Sequence, residues 1–230
     1  MAFSSSRIIM GSGAVGTGEM GYDLSAGDYV SFPDSDDWSW GNQDVTFEAW
    51  INCHETNSRP YIFYQGPSNN NYFYFDNSTN NCVCVGGGGT MNIQSTNFSS
   101  HTDTWVHVAA VRSSGAWKLY ENGVSKTLTL NTNPSYSYTN NSGVLQMGLG
   151  QVNAATLDEI RLSNTARWTS NFTPETSPYE SDSNTKLLVH CHEAKTGTTG
   201  SGATFTESGN EARTGTETGT AIEDTVLYKF

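Results

Sequence analysis

Glu180 and Asp182 stand two residues apart, a spacing that puts both carboxylates on one face of an extended strand. Glycoside hydrolysis uses such a pair, roughly 5 Å apart when configuration is retained. Here the pair lies beside Pro178 in a connector-like stretch, and the next position of a three-acid pattern is Thr185. Glu48 lies in a strongly alternating run, but Trp50 and Asn52 follow it where a partner acid would stand. Cys53 and His54 are adjacent, so on a strand they point to opposite faces and make no nucleophile–base pair. His190-Cys191-His192 puts two imidazoles on one face. A transition metal there needs a third ligand from another strand; the plainer reading is partly exposed strand histidines. The run Gly86–Gly89 has no Lys-Ser/Thr and no helical pattern after it, which excludes a phosphate loop. No catalytic constellation emerges, and a non-enzymatic chain is expected.

Binding chemistry is better supplied. Trp38, Trp40, Tyr136 and Tyr138 are candidates for stacking on sugar rings, with nearby Asn and Asp to bond hydroxyls. Tyr72 and Tyr74 offer the same chemistry, whereas Trp50, Trp105 and Trp117 read as core or inner-face residues. The four N-x-S/T sequences, at Asn77, Asn97, Asn140 and Asn171, matter only in a chain secreted by a eukaryote.

The elements that must position these residues are strands. Val45–Cys53 reads V-T-F-E-A-W-I-N-C. Val45, Phe47, Ala49, Ile51 and Cys53 fall on one face, and Thr46, Glu48, Trp50 and Asn52 on the other, which implies one buried and one wet face. Further strands are expected at Tyr29–Phe32, Tyr61–Tyr64, Tyr72–Phe75, Cys82–Val85, Trp105–Arg112, Trp117–Tyr120, Val124–Leu130, Val144–Leu149, Thr156–Leu162 and Leu187–Val189. Asn122-Gly123 marks a two-residue hairpin turn. Residues 170–184 read as a connector, and Thr196–Thr220 is mostly Thr, Gly and Ser.

Composition narrows the partners. Eleven Lys and Arg stand against 23 Asp and Glu, a net charge of −12, which repels nucleic acid and favours solubility. The four cysteines, Cys53, Cys82, Cys84 and Cys191, lack C-x-x-C spacing and read as free buried thiols. No stretch reaches the roughly 20 apolar residues of a membrane span. Met1–Met10 has no long apolar run, so a soluble product made in the cytosol, without a signal peptide, is expected.

Five segments in order carry a resemblance: G-D-Y-V-S-F-P (Gly27–Pro33), V-T-F-E-A-W-I (Val45–Ile51), W-V-H-V-A-A-V-R (Trp105–Arg112), W-K-L-Y-E-N-G (Trp117–Gly123) and L-D-E-I-R-L-S-N-T-A-R-W (Leu157–Trp168). Together they resemble the laminin G-like, pentraxin-like group of concanavalin A-like jelly rolls. The resemblance implies an all-β, two-sheet antiparallel sandwich over residues 22–180, with an N-terminal arm at 1–21 and a C-terminal segment at 181–230. It also implies a bound calcium ion, with Asp28 and Asp158 at the matching positions and Asp34, Asp36 and Asp37 as the other choice. The alternative for Asp158 or Glu159 is pairing with Arg161 or Arg112, or capping a turn. The E-x-D-x-x-E strand of glycosidases with this fold is incomplete here.

The sequence further resembles modules in structural proteins of marine bacteriophages. Those modules open with a T-K-L-L-L-H-like strand, whereas here T-K-L-L-V-H stands late, at Thr185–His190. The displaced segment either closes its own sandwich, as in a circular permutation, or pairs with a neighbouring copy, or is a vestige of a lost module. The implied function is a non-catalytic decoration protein on a virion surface, a homo-oligomer docked on capsid or tail proteins. The alternative is a glycan-binding adhesin or lectin module, calcium-dependent or not, that recognises cell-surface glycans.

Overall fold

The computed structural model describes residues 21–24, 28–66, 70–138, 141–148, 155–190, 204–218 and 222–223. Residues 1–20, Cys191, His192 and the end of the chain from 224 lie outside the described residues. The strands are β1 (Gly21–Leu24), β2 (Tyr29–Phe32), β3 (Val45–Cys53), β4 (Tyr61–Gln65), β5 (Asn71–Asp76), β6 (Asn81–Gly86), β7 (Met91–Ser95), β8 (Trp105–Ser113) and β9 (Ala116–Glu121). They continue with β10 (Val124–Lys126), β11 (Leu130–Thr132), β12 (Leu145–Met147), β13 (Ala155–Ser163), β14 (Thr185–Val189), β15 (Thr204–Thr206), β16 (Thr214–Thr218) and β17 (Ile222–Glu223). The only helical pieces among the described residues are two single 3-10 turns, Asp36–Trp38 and Gly87–Gly89.

These strands form the two antiparallel sheets expected of a concanavalin A-like sandwich. The first runs β10-β9-β8-β3-β13 and then β1-β17, with β14 also on β13. Half of the far edge of β13, Ala155–Leu157, is taken by β1, and the other half, Ile160–Ser163, by β14. The second sheet runs β11-β7-β6-β5-β4-β12-β2-β16-β15. In this structure β14, β16 and β17 pair within the chain, on β13, β2 and β1. The inner faces meet in one core that includes Val30, Phe32, Phe47, Ile51, Phe73 and Leu119. Each such side chain contributes about 1.5–3 kcal/mol on burial.

The alternation has the expected period but a different environment. All nine residues of β3 and of β13 are buried. The outer face of the first sheet is not wet, because residues 164–184 lie across it as a strap. Thr46 Oγ1 donates to the Thr165 carbonyl (2.7 Å) and accepts from the Arg167 N–H (3.0 Å). The Phe172 N–H donates to the Gly123 carbonyl (3.0 Å). Trp50 thus belongs to the outer face, packed with Tyr179 and Leu188, rather than to the interior.

Other boundaries also move. Val124–Leu130 is not one strand: β10 closes the first sheet and β11 the second, with residues 127–129 crossing between them. Asn122 and Gly123 take the positive φ of a primed hairpin turn (47° and 76°). β13 carries a one-residue bulge between Asp158 and Arg161, with Glu159 at φ 51°. The bulge turns successive acids toward the same outer layer, where both find partners.

Candidate functional site

The aromatic candidates from the loops go inward. Trp38 is 0% exposed; its Nε1–H donates to the Pro33 carbonyl (3.1 Å), and the Arg213 guanidinium lies over its ring at 4.9 Å. Trp40 meets Phe47 edge-on at 4.8 Å and Tyr138 at 4.7 Å. Tyr138 is buried, and its hydroxyl donates to the Val85 carbonyl (3.0 Å). Tyr136 is half-buried against the same core. The glycine run is explained here: a Cβ at Gly86 would strike the Tyr138 ring, and one at Gly87 the Tyr136 hydroxyl. Trp38, Trp40 and Tyr138 therefore have no free ring face to offer a sugar.

The calcium candidates fare similarly. Asp28 precedes β2 in the second sheet, whereas Asp158 lies on β13 in the first. Asp158 is 2% exposed, and its Oδ1 accepts from the Glu159 N–H (2.8 Å). Asp37 is engaged by Lys186 and Arg213. No group of three His, Cys, Asp or Glu among the described residues is placed to hold a metal ion.

The acids that suggested chemistry form a closed electrostatic knot under the strap. Glu48 Oε1 accepts from Arg161 Nε (2.7 Å), and its Oε2 lies 3.1 Å from His107 Nε2. Burial alone would push the Glu48 carboxyl up, but His107 and Arg161 outweigh it and hold the group below its ordinary value. Arg161 also lies over the Tyr179 ring at 4.1 Å and reaches Glu175 (3.3 Å). Glu159 accepts from the Tyr179 N–H (2.7 Å) and meets His190 Nδ1 at 2.8 Å. Asp182 is bound by Arg167 through two contacts of 3.0 and 3.1 Å. Glu159 and Glu175 hold the strap to the sheet, Asp182 ties the strap to itself, and Glu48, joined to its neighbours within the sheet, is out of reach of a substrate. This arrangement suits structure, not proton transfer.

Among the described residues, an accessible group with binding chemistry lies on the outer face of the second sheet. There the rings of Tyr61, Tyr64, Tyr72 and Tyr74 form one cluster, all half-buried. Tyr61 is the hub, 5.7 Å from Tyr64, 5.7 Å from Tyr72 and 5.0 Å from Tyr74, while Tyr72 stacks on Tyr74 at 5.8 Å. Register explains the gathering: Tyr61 opposes Tyr74 and Tyr64 opposes Tyr72 across β4 and β5. Val83 and Val85 oppose Tyr74 and Tyr72 on β6 and are buried beneath this layer. Amides flank it: Asn81 Nδ2 donates to Gln94 Oε1 (3.3 Å), Gln94 Nε2 to Asn92 Oδ1 (2.8 Å), and Gln146 opposes Tyr64. At one rim Arg59 pairs with Asp76 (2.6 Å) and lies over the Tyr74 ring at 5.5 Å. Burial pushes the Tyr74 hydroxyl up to about 12 against the pull of Arg59, so it remains a neutral donor and acceptor.

The family model of the concanavalin A-like lectin/glucanases superfamily, in its laminin G form, matches residues 24–170. The chain belongs to this superfamily. Among solved structures it is similar to a candidate carbohydrate binding protein from Bacteroides ovatus, with a TM-score of 0.64 and 15% identity over 93% of this chain and 62% of that one. This chain thus spans less than two thirds of that protein's length. It is also similar to a native heptameric SAP-like pentraxin from Limulus polyphemus (TM-score 0.46, 16% identity, 68% of this chain and 81% of that one). Mouse laminin α1 domains LG4-5 give a TM-score of 0.47 at 10% identity, over 71% of this chain and 49% of theirs. At such identities the likeness is one of fold. No curated protein matches the chain in sequence.

For this superfamily member, Tyr61 and Tyr64 are the site residues that sequence reasoning passed over. They sit in an apolar-looking run, Y-I-F-Y, that reads as core. The signal available was the wet phase of β5, where Tyr72 and Tyr74 alternate with Phe73 and Phe75; only the register of β4 on β5 brings the other two rings beside them.

Proposed function

We propose that this chain is a non-catalytic carbohydrate-binding module whose contact surface is the tyrosine face of the second sheet. The observation that carries the reading is the cluster of four half-buried tyrosines beside an Asn81–Gln94–Asn92 amide row. Aromatic faces stack on the C–H faces of sugar rings, and amides and phenols bond their hydroxyls. The ligand class is a neutral glycan, because the only charged side chains at the cluster among the described residues, Arg59 and Asp76, neutralise each other. The absence of catalysis in this reading rests on Glu48, whose carboxylate is spent on Arg161 and His107. Membership of a superfamily of lectins and glucanases supports a sugar ligand without naming one.

The test is a glycan array followed by titration of the best ligand against Tyr72→Ala and Tyr74→Ala. Each variant is expected to weaken binding at least about tenfold, about 1.4 kcal/mol, while melting within a few degrees of the parent. Unchanged affinity in both variants, or no binding to any neutral glycan, overturns the reading.

Assembly as a homo-oligomer on a virion surface is a separate proposal, supported by the sequence resemblance alone. Light scattering tests it: an oligomer is expected, and a strict monomer that docks on no particle counts against it.

A further inference from the structure

A pocket lies on the side of the sandwich opposite the tyrosine face, between the outer face of the first sheet and the strap. It encloses about 210 Å³ and is lined by Val111, Ser113, Ala116, Lys118, Trp168 and Thr169. Pockets for drug-sized ligands run to roughly 300–1,000 Å³, so this volume suits a single small ring rather than an oligosaccharide. One wall is the Trp168 indole. It is held rigid by Phe172, stacked on it at 3.8 Å and 4°, and Phe172 in turn meets Tyr120 edge-on at 5.3 Å. A preorganised aromatic wall costs little to order on binding.

The charge in this pocket is unusual for so acidic a chain. Among the described residues Arg59, Lys126, Arg161, Arg167, Lys186 and Arg213 all pair with carboxylates. Arg112 is buried and donates to the Gly41 carbonyl. Lys118 is the one remaining cation among them; it is exposed, and no carboxylate of a described residue lies within ion-pair distance. Its Nζ donates to the Thr169 carbonyl (2.5 Å), which fixes the ammonium at the pocket and leaves its other two N–H groups free. Asp44, just before β3, accepts from the Ser114 N–H (2.7 Å) at the tip of the β8–β9 hairpin.

We infer that this pocket is a second binding site, for a single sugar ring bearing a carboxylate, with Lys118 on the carboxylate and Trp168 against the ring. The indole and Val111 suit a C–H face, Ser113 and Thr169 supply hydroxyls for hydrogen bonding, and the unneutralised ammonium selects the anion. The site is chemically distinct from the tyrosine face and does not depend on it.

The test titrates the full chain with glucuronate, with glucose as the ring lacking the carboxylate and acetate as the carboxylate lacking the ring. The readout is the Trp168 indole N–H in 1H–15N spectra. Glucuronate is expected to shift that signal saturably, and glucose and acetate to bind at least about tenfold more weakly. Lys118→Met is expected to lower glucuronate affinity at least about fivefold, and raised salt to weaken binding in the parent but not in the variant. Tyr72→Ala is expected to leave glucuronate binding intact, which separates this site from the tyrosine face. Equal binding of glucose or acetate, or an unchanged affinity in a folded Lys118→Met, overturns the inference.

Discussion

At the residue scale the deciding fact is that Glu48 has company. It is 1% exposed and faces Arg161 and His107. A buried ion pair adds little net stability, but breaking one side leaves the other charge uncompensated. Glu48→Ala is therefore expected to cost about 3–5 kcal/mol in urea unfolding, with Glu48→Gln losing less because it keeps hydrogen-bonding atoms in place. An unchanged midpoint would show that the knot is not sealed. The cysteines give a second expectation. Burial pushes Cys53 and Cys84 up to about 12 and Cys82 well above the ordinary thiol value. All three are buried and free, so iodoacetamide at neutral pH is expected to leave them unlabelled until denaturant is added, as mass mapping of the peptides would show. Their role as small hydrophobes was legible from spacing alone. The partners of Glu48 were not, because Arg161 is 113 residues away in the chain.

At the element scale the strap changes the reading of the whole first sheet. Residues 170–184 look in sequence like an acidic, proline-bearing connector, yet the strap of 164–184 to which they belong buries Ala109, Val111 and Tyr120 under Ala166, Trp168 and Phe172. The hairpin turn is tied to the same device. Gly123 takes φ 76°, and a Cβ there would strike the Phe172 carbonyl that approaches it. The turn chemistry of Asn122-Gly123 is visible in sequence; the second demand on Gly123 is not. Gly123→Ala is expected to cost about 1–3 kcal/mol, and to raise amide exchange across residues 170–174 as the strap lifts. Destabilisation with no local change in exchange would place the whole effect in the turn. β7 shows the opposite limit: with only Met91 and Ile93 as apolar anchors, it is too short a signal to read without the pairing of β6.

At the scale of the whole molecule, acidity sets the working range. Burial would raise Glu121, but His101, Lys126 and the Ser99 N–H outweigh it and hold the carboxyl at about 2, well below its ordinary 4.5. Glu48 is lowered in the same sense. An acid depressed by folding stabilises the fold above its unfolded value and loses that contribution as pH falls toward the folded one. The melting temperature is therefore expected to fall steadily from about pH 4.5 toward 2, and less steeply in Glu121→Gln. A parent curve that is flat between pH 5 and 3 would contradict this.

Period-2 alternation and turn residues determined by themselves that this chain is built of short strands, because strand geometry is local and repeats every second residue. The order of its motifs was enough to place it in its superfamily. Which face of each sheet meets water was decided only in three dimensions. A strap drawn from distant sequence buries one outer face and leaves the other to four tyrosines, and no alternation pattern records what lies on top of a strand.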